Sequence, residues 1–460
     1  MISWAGRLLQ KASKKGLRGC LRAIACRLPR PAAGAGRLAA LAASALGALG
    51  VRLVVNSTYP LNWTRIGHLA TEPDCYVKER RLGLHRHRLP VLFVPRGQVA
   101  NPCLLDYWRR HFCVVTSPLA CRLLGRLAAF PAIRHPVDGY MTAMHVSATY
   151  PEIQTAYRGR PPVLLLRGPH RAAGEARLRE LGVPPGAWFV CVHCRESGFA
   201  PRDTFQRFRD ADIFNYLAAV RAIVERGGWC VRMGDPTMKP LPPAPGLIDY
   251  AHSPLRADWM DIFLCAACKF FLGCGSGLAP VATAFGVPCA ITNQVPLATL
   301  PYGSEDVGIP KLFWCSRRRR YLTFPEVMRG PLANARFAHC YEEAGVAVVE
   351  NTPEDIRDLA LEVLARVEGT AVYTADDERR QRAFKALLRP GDYAYGAVAR
   401  VGAAFLRKHE ALLEPGEAGR IEWPGPRGCG TPECDCFADW MGWVSRPPRP
   451  VECPPWPAAA

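Results

Sequence analysis

The sequence predicts an α/β protein whose parallel sheets are doubly wound and fall in two halves of the chain. Three observations carry this. First, three short apolar runs between residues 188 and 293 each end in glycines and polar side chains. They are Trp188-Phe-Val-Cys-Val-His193-Cys-Arg195-Glu196-Ser-Gly198, Gly228-Trp-Cys-Val-Arg232-Met-Gly234-Asp235 and Phe270-Phe-Leu-Gly273-Cys-Gly275-Ser276-Gly277. In an open parallel sheet, strand exits of this kind lie at the carboxyl edge, where ligands bind. Second, strand-like and helix-like stretches alternate over 51–116 and again over 188–291, as βαβ units require. Third, 460 residues exceed what one hydrophobic core usually organises, so two or more domains are expected.

In chain order, residues 1–37 form a basic arm. Its Leu8, Leu9, Ala12, Leu17, Leu21, Ile24 and Ala25 stand loosely at helical spacing, which suits an amphipathic surface helix or packing on the body of the protein. Residues 38–50 are apolar, but Arg52 follows soon after and the run is shorter than the ~20 residues that cross a bilayer, so a buried or interfacial helix is expected. Strands are expected at 51–55 (closing at Asn56-Ser57), 89–94 and 112–116, with helices through 76–81 and around Tyr107-Trp108. Residues 151–162 connect, 171–181 are helical, and the turn 181–186 opens the second half. There the pattern gives strand 188–193, helix 212–227, strands 229–233 and 247–250, helix 258–267, strand 269–272, helix 277–285 and strand 287–291. Helices follow to about 366, over 376–388 and over 395–413; beyond Glu414, Pro, Gly, Cys and Trp dominate, the composition of a tail with little regular structure.

Hydrophobic residues make up 49% of the chain, which excludes a disordered protein. The net charge of +19 is uneven, since no Asp or Glu precedes Glu72. A basic arm of this kind suits an anionic membrane surface or a nucleic acid, or is simply solvated; the run Arg317–Arg320 reads as a solvated loop. Nineteen cysteines are scattered through apparent strands and helices, as at Cys191, Cys230, Cys265, Cys268 and Cys289, and read as reduced, buried thiols of a cytosolic protein. The tail cysteines Cys429, Cys434, Cys436 and Cys453 lack zinc-site spacing, so no metal is expected.

Chemistry is expected at the strand exits. Gly275 and Gly277 flank Ser276 at a strand-to-helix junction, where free backbone N–H groups and a hydroxyl favour a phosphate; a tight turn needing glycine for backbone reasons is the alternative. Alternation puts His193 and Arg195 on one face. Arg195 offers a fork suited to a diphosphate, or else pairs with a carboxylate, with Glu196 next door as partner or general base. Arg232, Gly234 and Asp235 close the next strand, and His252 and Ser253 follow the one after; each is structural or holds a nucleotide sugar.

Several segments are similar to motifs of a family of bacterial glycosyltransferases associated with surface-polysaccharide or cell-envelope glycan assembly. They are Arg65-Ile-Gly67-His68-Leu-Ala, Arg209-Asp-Ala-Asp-Ile-Phe-Asn215-Tyr216, the 227–235, 249–253, 258–264 and 270–278 stretches, Phe285-Gly-Val-Pro288, Asn293 and Ile309-Pro-Lys311-Leu. More distantly, His193-Cys-Arg195 resembles the H-x-R segment of GT-B fucosyltransferases, though Glu-Ser follows here in place of Arg-x-Asp. The resemblance implies two facing Rossmann-like domains (the GT-B architecture): an arm at 1–49, an acceptor domain at 50–180, a donor domain at 181–370, helices at 371–413 and a tail at 414–460. It further implies a glycosyltransferase moving sugar from a nucleotide-sugar donor to a glycan or lipid-linked acceptor, without a cofactor or metal. Arg195, Glu196, Asp235 and His68 are the catalytic candidates. His193, Arg232, Gly234, His252, Ser253, Gly273, Gly275, Ser276 and Gly277 would bind the donor, with Gly67 and Asn101 on the acceptor side. A cytoplasmic enzyme peripheral to the inner membrane is the expected setting. The alternatives are a GT-B sugar-nucleotide epimerase, or a non-catalytic protein binding a nucleotide sugar or nucleic acid; no nucleic-acid fold is recognisable.

Overall fold

The computed structural model describes residues 33–55, 61–137, 140, 149–198, 203–301 and 303–416. The basic arm to residue 32, Asn56-Ser57 and the tail cysteines lie outside them. The first half is a four-stranded parallel sheet of β1 (Val51–Val55), β2 (Leu89–Phe93), β3 (Cys113–Val115) and β4 (Arg134–Pro136), in the order β3-β2-β1-β4. Helix Ala33–Ala48 packs Ala43 and Leu46 on one face of this sheet and leaves Leu38 and Leu41 in solvent. The expectation of a buried or interfacial helix is thus met by a single apolar stripe. Among the described residues no helix is long and apolar enough to cross a membrane.

The second half carries β5 (Phe189–His193), β6 (Trp229–Arg232), β7 (Leu247–Ile248), β8 (Phe271–Cys274), β9 (Cys289–Gln294) and β10 (Val307–Pro310). A small antiparallel sheet of β11 (Leu312–Cys315), β12 (Arg320–Tyr321) and β13 (Val346–Val349) follows, and then β14 (Arg400–Val401). The seven-stranded parallel sheet has the order β14-β10-β9-β8-β5-β6-β7. Numbered from β5, its first six strands run 3-2-1-4-5-6, the Rossmann order, and the direction reverses between β5 and β8. The predicted α/β class with two Rossmann-like halves is therefore present.

The strands form because they are buried: all of β5 and all of β9 are shielded from solvent, and β5 accordingly reads as an apolar run up to His193, while β9 is apolar only over Cys289–Ile291. One hydrophobic cluster joins the halves, with Trp63, Leu69 and Tyr76 from the first and Phe189, Val231, Trp259 and Phe285 from the second. Helix Ile66–Arg81 leaves the carboxyl end of β1 and packs on Ala279–Ala284, which leaves the carboxyl end of β8. The contact is close because both positions are glycine. A Cβ on Gly67 would lie 3.1 Å from the Gly277 Cα, and one on Gly277 would lie 2.9 Å from the Ile66 Cγ2. The carboxyl edges of the two sheets meet at this point.

Three expectations are corrected. The helix through 76–81 starts ten residues earlier, at Ile66, and contains Pro73. The helix over 395–413 is instead β14, helix Ala403–Lys408 and a short 3-10 turn, because Val401 completes the edge of the large sheet beside β10. Arg317–Arg320 is not a free loop: it turns the β11–β12 hairpin with Arg319 at φ 52°, and Arg320 makes a two-pronged bond to Glu326 at 2.7 and 2.8 Å. Twelve described cysteines are free thiols, all but Cys113 buried; Cys340 departs from the all-reduced reading, being disulfide-bonded.

Candidate active site at the strand-order reversal

The carboxyl ends of β5 and β8 bring Arg195 beside the Cys274–Gly277 turn, and the Arg195 backbone N–H donates to Cys274 Sγ at 3.0 Å. Gly275 is exposed and a Cβ there would meet nothing within 4 Å, so sterics do not require its glycine. Gly273 is different: a Cβ would strike the His193 carbonyl at 2.4 Å, so this glycine serves strand packing. The Ser276 hydroxyl is buried without a partner. The helix beyond it, Ala279–Ala284, is under two turns long, so its dipole contributes little.

The dominant feature is charge. Arg195 is bound by Asp203 at 2.7 Å and Asp210 at 3.1 Å, and donates to the Gln206 carbonyl at 2.6 Å. Arg209 lies against it and donates to the Gly275 carbonyl and to Gln206 Oε1, both at 2.5 Å. Burial, then the field of Arg195, pushes Arg209 down to about 10, still protonated at neutral pH. Arg65, arriving from the first half, feels both Asp203 and Arg195, and burial lowers it too. Lys311 is buried, donates to the Asp210 carbonyl at 2.6 Å, and is lowered by desolvation. Four cations thus share three carboxylates, Asp203, Asp210 and, at Lys311, Glu350. Desolvation raises Asp210 against the pull of Arg195 and Lys311, so the excess is positive. Sequence reasoning named Arg195 and missed Arg65, Arg209 and Lys311, although each lies in a segment of the glycosyltransferase resemblance.

The structure gathers a second set elsewhere. Arg232, 1% exposed, binds Glu196 at 3.0 Å, Asp249 at 3.2 Å and the Lys239 carbonyl at 3.0 Å. Asp249 also accepts from the Leu241 N–H and holds His252 Nδ1, both at 2.9 Å; His252 Nε2 meets the Met238 carbonyl at 3.1 Å. Glu196 is buried and raised by desolvation against the pull of Arg232. Asp235 accepts from the Thr237 N–H and hydroxyl, Ser253 from the Leu255 N–H, and a Cβ on Gly234 would meet Met238 Sδ at 2.7 Å. These groups are committed to the loops after β6 and β7. Asn101 likewise caps helix Pro102–Trp108 and donates to the Asp258 carbonyl at 2.9 Å, tying the two halves together.

His68 lies one residue beyond the Gly67–Gly277 contact. Its Nδ1 is 2.5 Å from Glu72 Oε1, and among the described residues Nε2 has no bonded partner. His193 is buried with Nδ1 donating to the Met233 carbonyl at 3.0 Å, and burial pulls it down to about 4. It therefore stays neutral in the fold but binds a proton once unfolded below about 6.5. Its contribution is intact above pH 6.5 and is lost as pH falls toward 4, by ~3 kcal/mol in all. His111 at about 4 acts in the same sense. Denaturant melts across this range should show stability falling with acid, and His193→Asn should flatten the slope.

No protein-family model and no curated protein sequence matches this chain. Among solved structures it is similar to the dodecameric iron-containing glycosyltransferase TibC from enterotoxigenic E. coli, with 14% identity and a TM-score of 0.30 over 52% of this chain and 57% of that one. It is also similar to E. coli ADP-heptose LPS heptosyltransferase II (14%, 0.31, over 57% and 90%) and to a glycosyl transferase family 9 protein of Veillonella parvula (12%, 0.35, over 79% and 97%). The chain spans under three fifths of the length of TibC. None of these three is a fucosyltransferase. Overlaps this small decide nothing about substrate; the fold rests on the strand order itself.

Proposed function

We propose that the protein is a glycosyltransferase that takes its sugar from a nucleotide-sugar donor. The observation that carries this reading is the surplus of cations (Arg65, Arg195, Arg209 and Lys311 against Asp203, Asp210 and Glu350) at the reversal point of a Rossmann-ordered sheet. A nucleoside diphosphate is the anion that such a crevice fits. The Ser276 hydroxyl and the open backbone at Gly275 add neutral donors. As the sugar leaves, charge grows on the diphosphate, and fixed guanidinium groups stabilise that charge most.

The acceptor hydroxyl attacks the anomeric carbon while the bond from that carbon to the diphosphate oxygen breaks, and a base removes the hydroxyl proton. Of the three candidates, Glu196 is spent on Arg232 and Asp235 on its own turn. His68 is the remaining one: Glu72 holds its ring through Nδ1, and Nε2 has no bonded partner among the described residues. The acceptor would come from the first half as a glycan or lipid-linked saccharide of the cell envelope, with the basic arm holding the enzyme to an anionic membrane.

A thermal-shift titration with UDP, GDP, CDP, ADP and dTDP tests the reading. One nucleotide at about a hundred times its Kd should add ~2.7 kcal/mol to the folded state. If none moves the melting curve of the folded protein, with or without a glycan acceptor, the donor reading falls.

A further inference from the structure

A cluster of imidazoles and one carboxylate lies away from the cleft, under the far end of helix Ile66–Arg81. Glu79 is thirteen residues beyond Ile66, so ~20 Å of helix separates it from the Gly67–Gly277 contact. His85 comes from the turn after that helix and His135 from β4. Their Nε2 atoms stand 3.8 and 3.7 Å from Glu79 Oε2, and one ligand atom from each of the three residues lies within 4.8 Å of the others. Tyr140 donates its hydroxyl to Glu79 and sits 2.8 Å from His135 Nε2. The side chain of His85 is 10% exposed, with the Tyr76 backbone as a nearby acceptor and its Nε2 beyond direct hydrogen-bonding distance of Glu79. Two imidazole nitrogens this close to one carboxylate oxygen, neither bonded directly to it, leave a position that an ion can bridge.

We propose that Glu79, His85 and His135 form a binding site for a divalent transition-metal ion of the zinc class, completed by the Tyr140 hydroxyl or a water. Two imidazoles and one carboxylate are the mixed nitrogen and oxygen set that such ions take, whereas magnesium and calcium require more oxygens. Ligand bonds of ~2.1 Å around a tetrahedral ion imply edges of about 3.4 Å, so the two Glu79 edges, at 3.8 and 3.7 Å, need a few tenths of an ångström of closure, and the imidazole–imidazole edge lies within 4.8 Å. Arg52 adds some positive charge nearby, but its guanidinium is turned to the Gly47 and Val51 carbonyls at 2.9 and 2.7 Å. The distance from the cleft makes the ion structural: it pins the 82–88 turn and β4 to the end of the helix. In the sequence the local sign of this site is the His85-x-His87 pair, because His135 and Glu79 join it only through the fold.

The test uses the full chain, stripped with chelator, kept reduced and titrated with Co²⁺. The wild type should take one equivalent with visible bands of nitrogen and oxygen ligation, free of the thiolate charge-transfer absorption that binding at cysteines would give. Its melting temperature should rise as this site fills. His85→Ala and Glu79→Gln should each weaken that uptake about a hundredfold or more, beyond the loss typical of a supporting residue. His87→Ala should bind as the wild type does, because His87 bonds to the Tyr76 hydroxyl and belongs to no ligand set. If His85→Ala does not fold, Glu79→Gln gives the answer. Wild type without such uptake, or His85→Ala and Glu79→Gln with the same stoichiometry and spectrum, would overturn the proposal.

Discussion

Replacing Arg232 by methionine should cost ~3–5 kcal/mol of folding stability, the usual penalty for removing one partner of a buried ion network. Arg232 is 1% exposed and, among the described residues, is the only arginine or lysine bonded to Glu196 and Asp249. Its loss leaves Glu196 buried without its counterion, and Asp249 would retain only His252 and the Leu241 N–H. The double variant Arg232→Met/Glu196→Leu should recover part of the loss, because an apolar pair removes the stranded charge as well. Urea melts of the single and double variants measure both quantities. A cost below ~1 kcal/mol for Arg232→Met would mean that the network is open to water and that Arg232 is available to a ligand after all.

Such networks explain which parts of the molecule were legible in the sequence. Central parallel strands are buried on both faces, so β5, β6 and β8 announce themselves as apolar runs whose exits carry glycine. β14 is two residues long between helical stretches and exists only because β10 offers it an edge, which no local pattern encodes. The same holds for side chains. That Arg195 and Arg232 stand at strand exits is visible in the alternation; that Asp203 and Asp210 occupy one, and Glu196 and Asp249 the other, depends on how the intervening loops fold back. Arg65 is more than a hundred residues from Arg195 in sequence and joins it only through the Gly67–Gly277 contact.

That convergence sets the second large expected effect. Arg209→Ala should weaken binding of the stabilising nucleotide by roughly 1.5–3 kcal/mol, about ten- to a hundredfold, the worth of a charge-assisted hydrogen bond to phosphate. Arg195→Ala should cost less, because its guanidinium donors are already committed to Asp203, Asp210 and the Gln206 carbonyl and few are left for a phosphate. Arg209 bonds neutral partners, the Gly275 carbonyl and Gln206 Oε1, so its charge is not spent on a bonded carboxylate. Isothermal titration of both variants ranks the two arginines directly. Raised salt should narrow the difference only slightly, since a buried guanidinium is poorly screened. The reverse ranking would mean that the ligand displaces the carboxylates from Arg195, so that Asp203 and Asp210 act as a gate over the cation instead of its permanent partners.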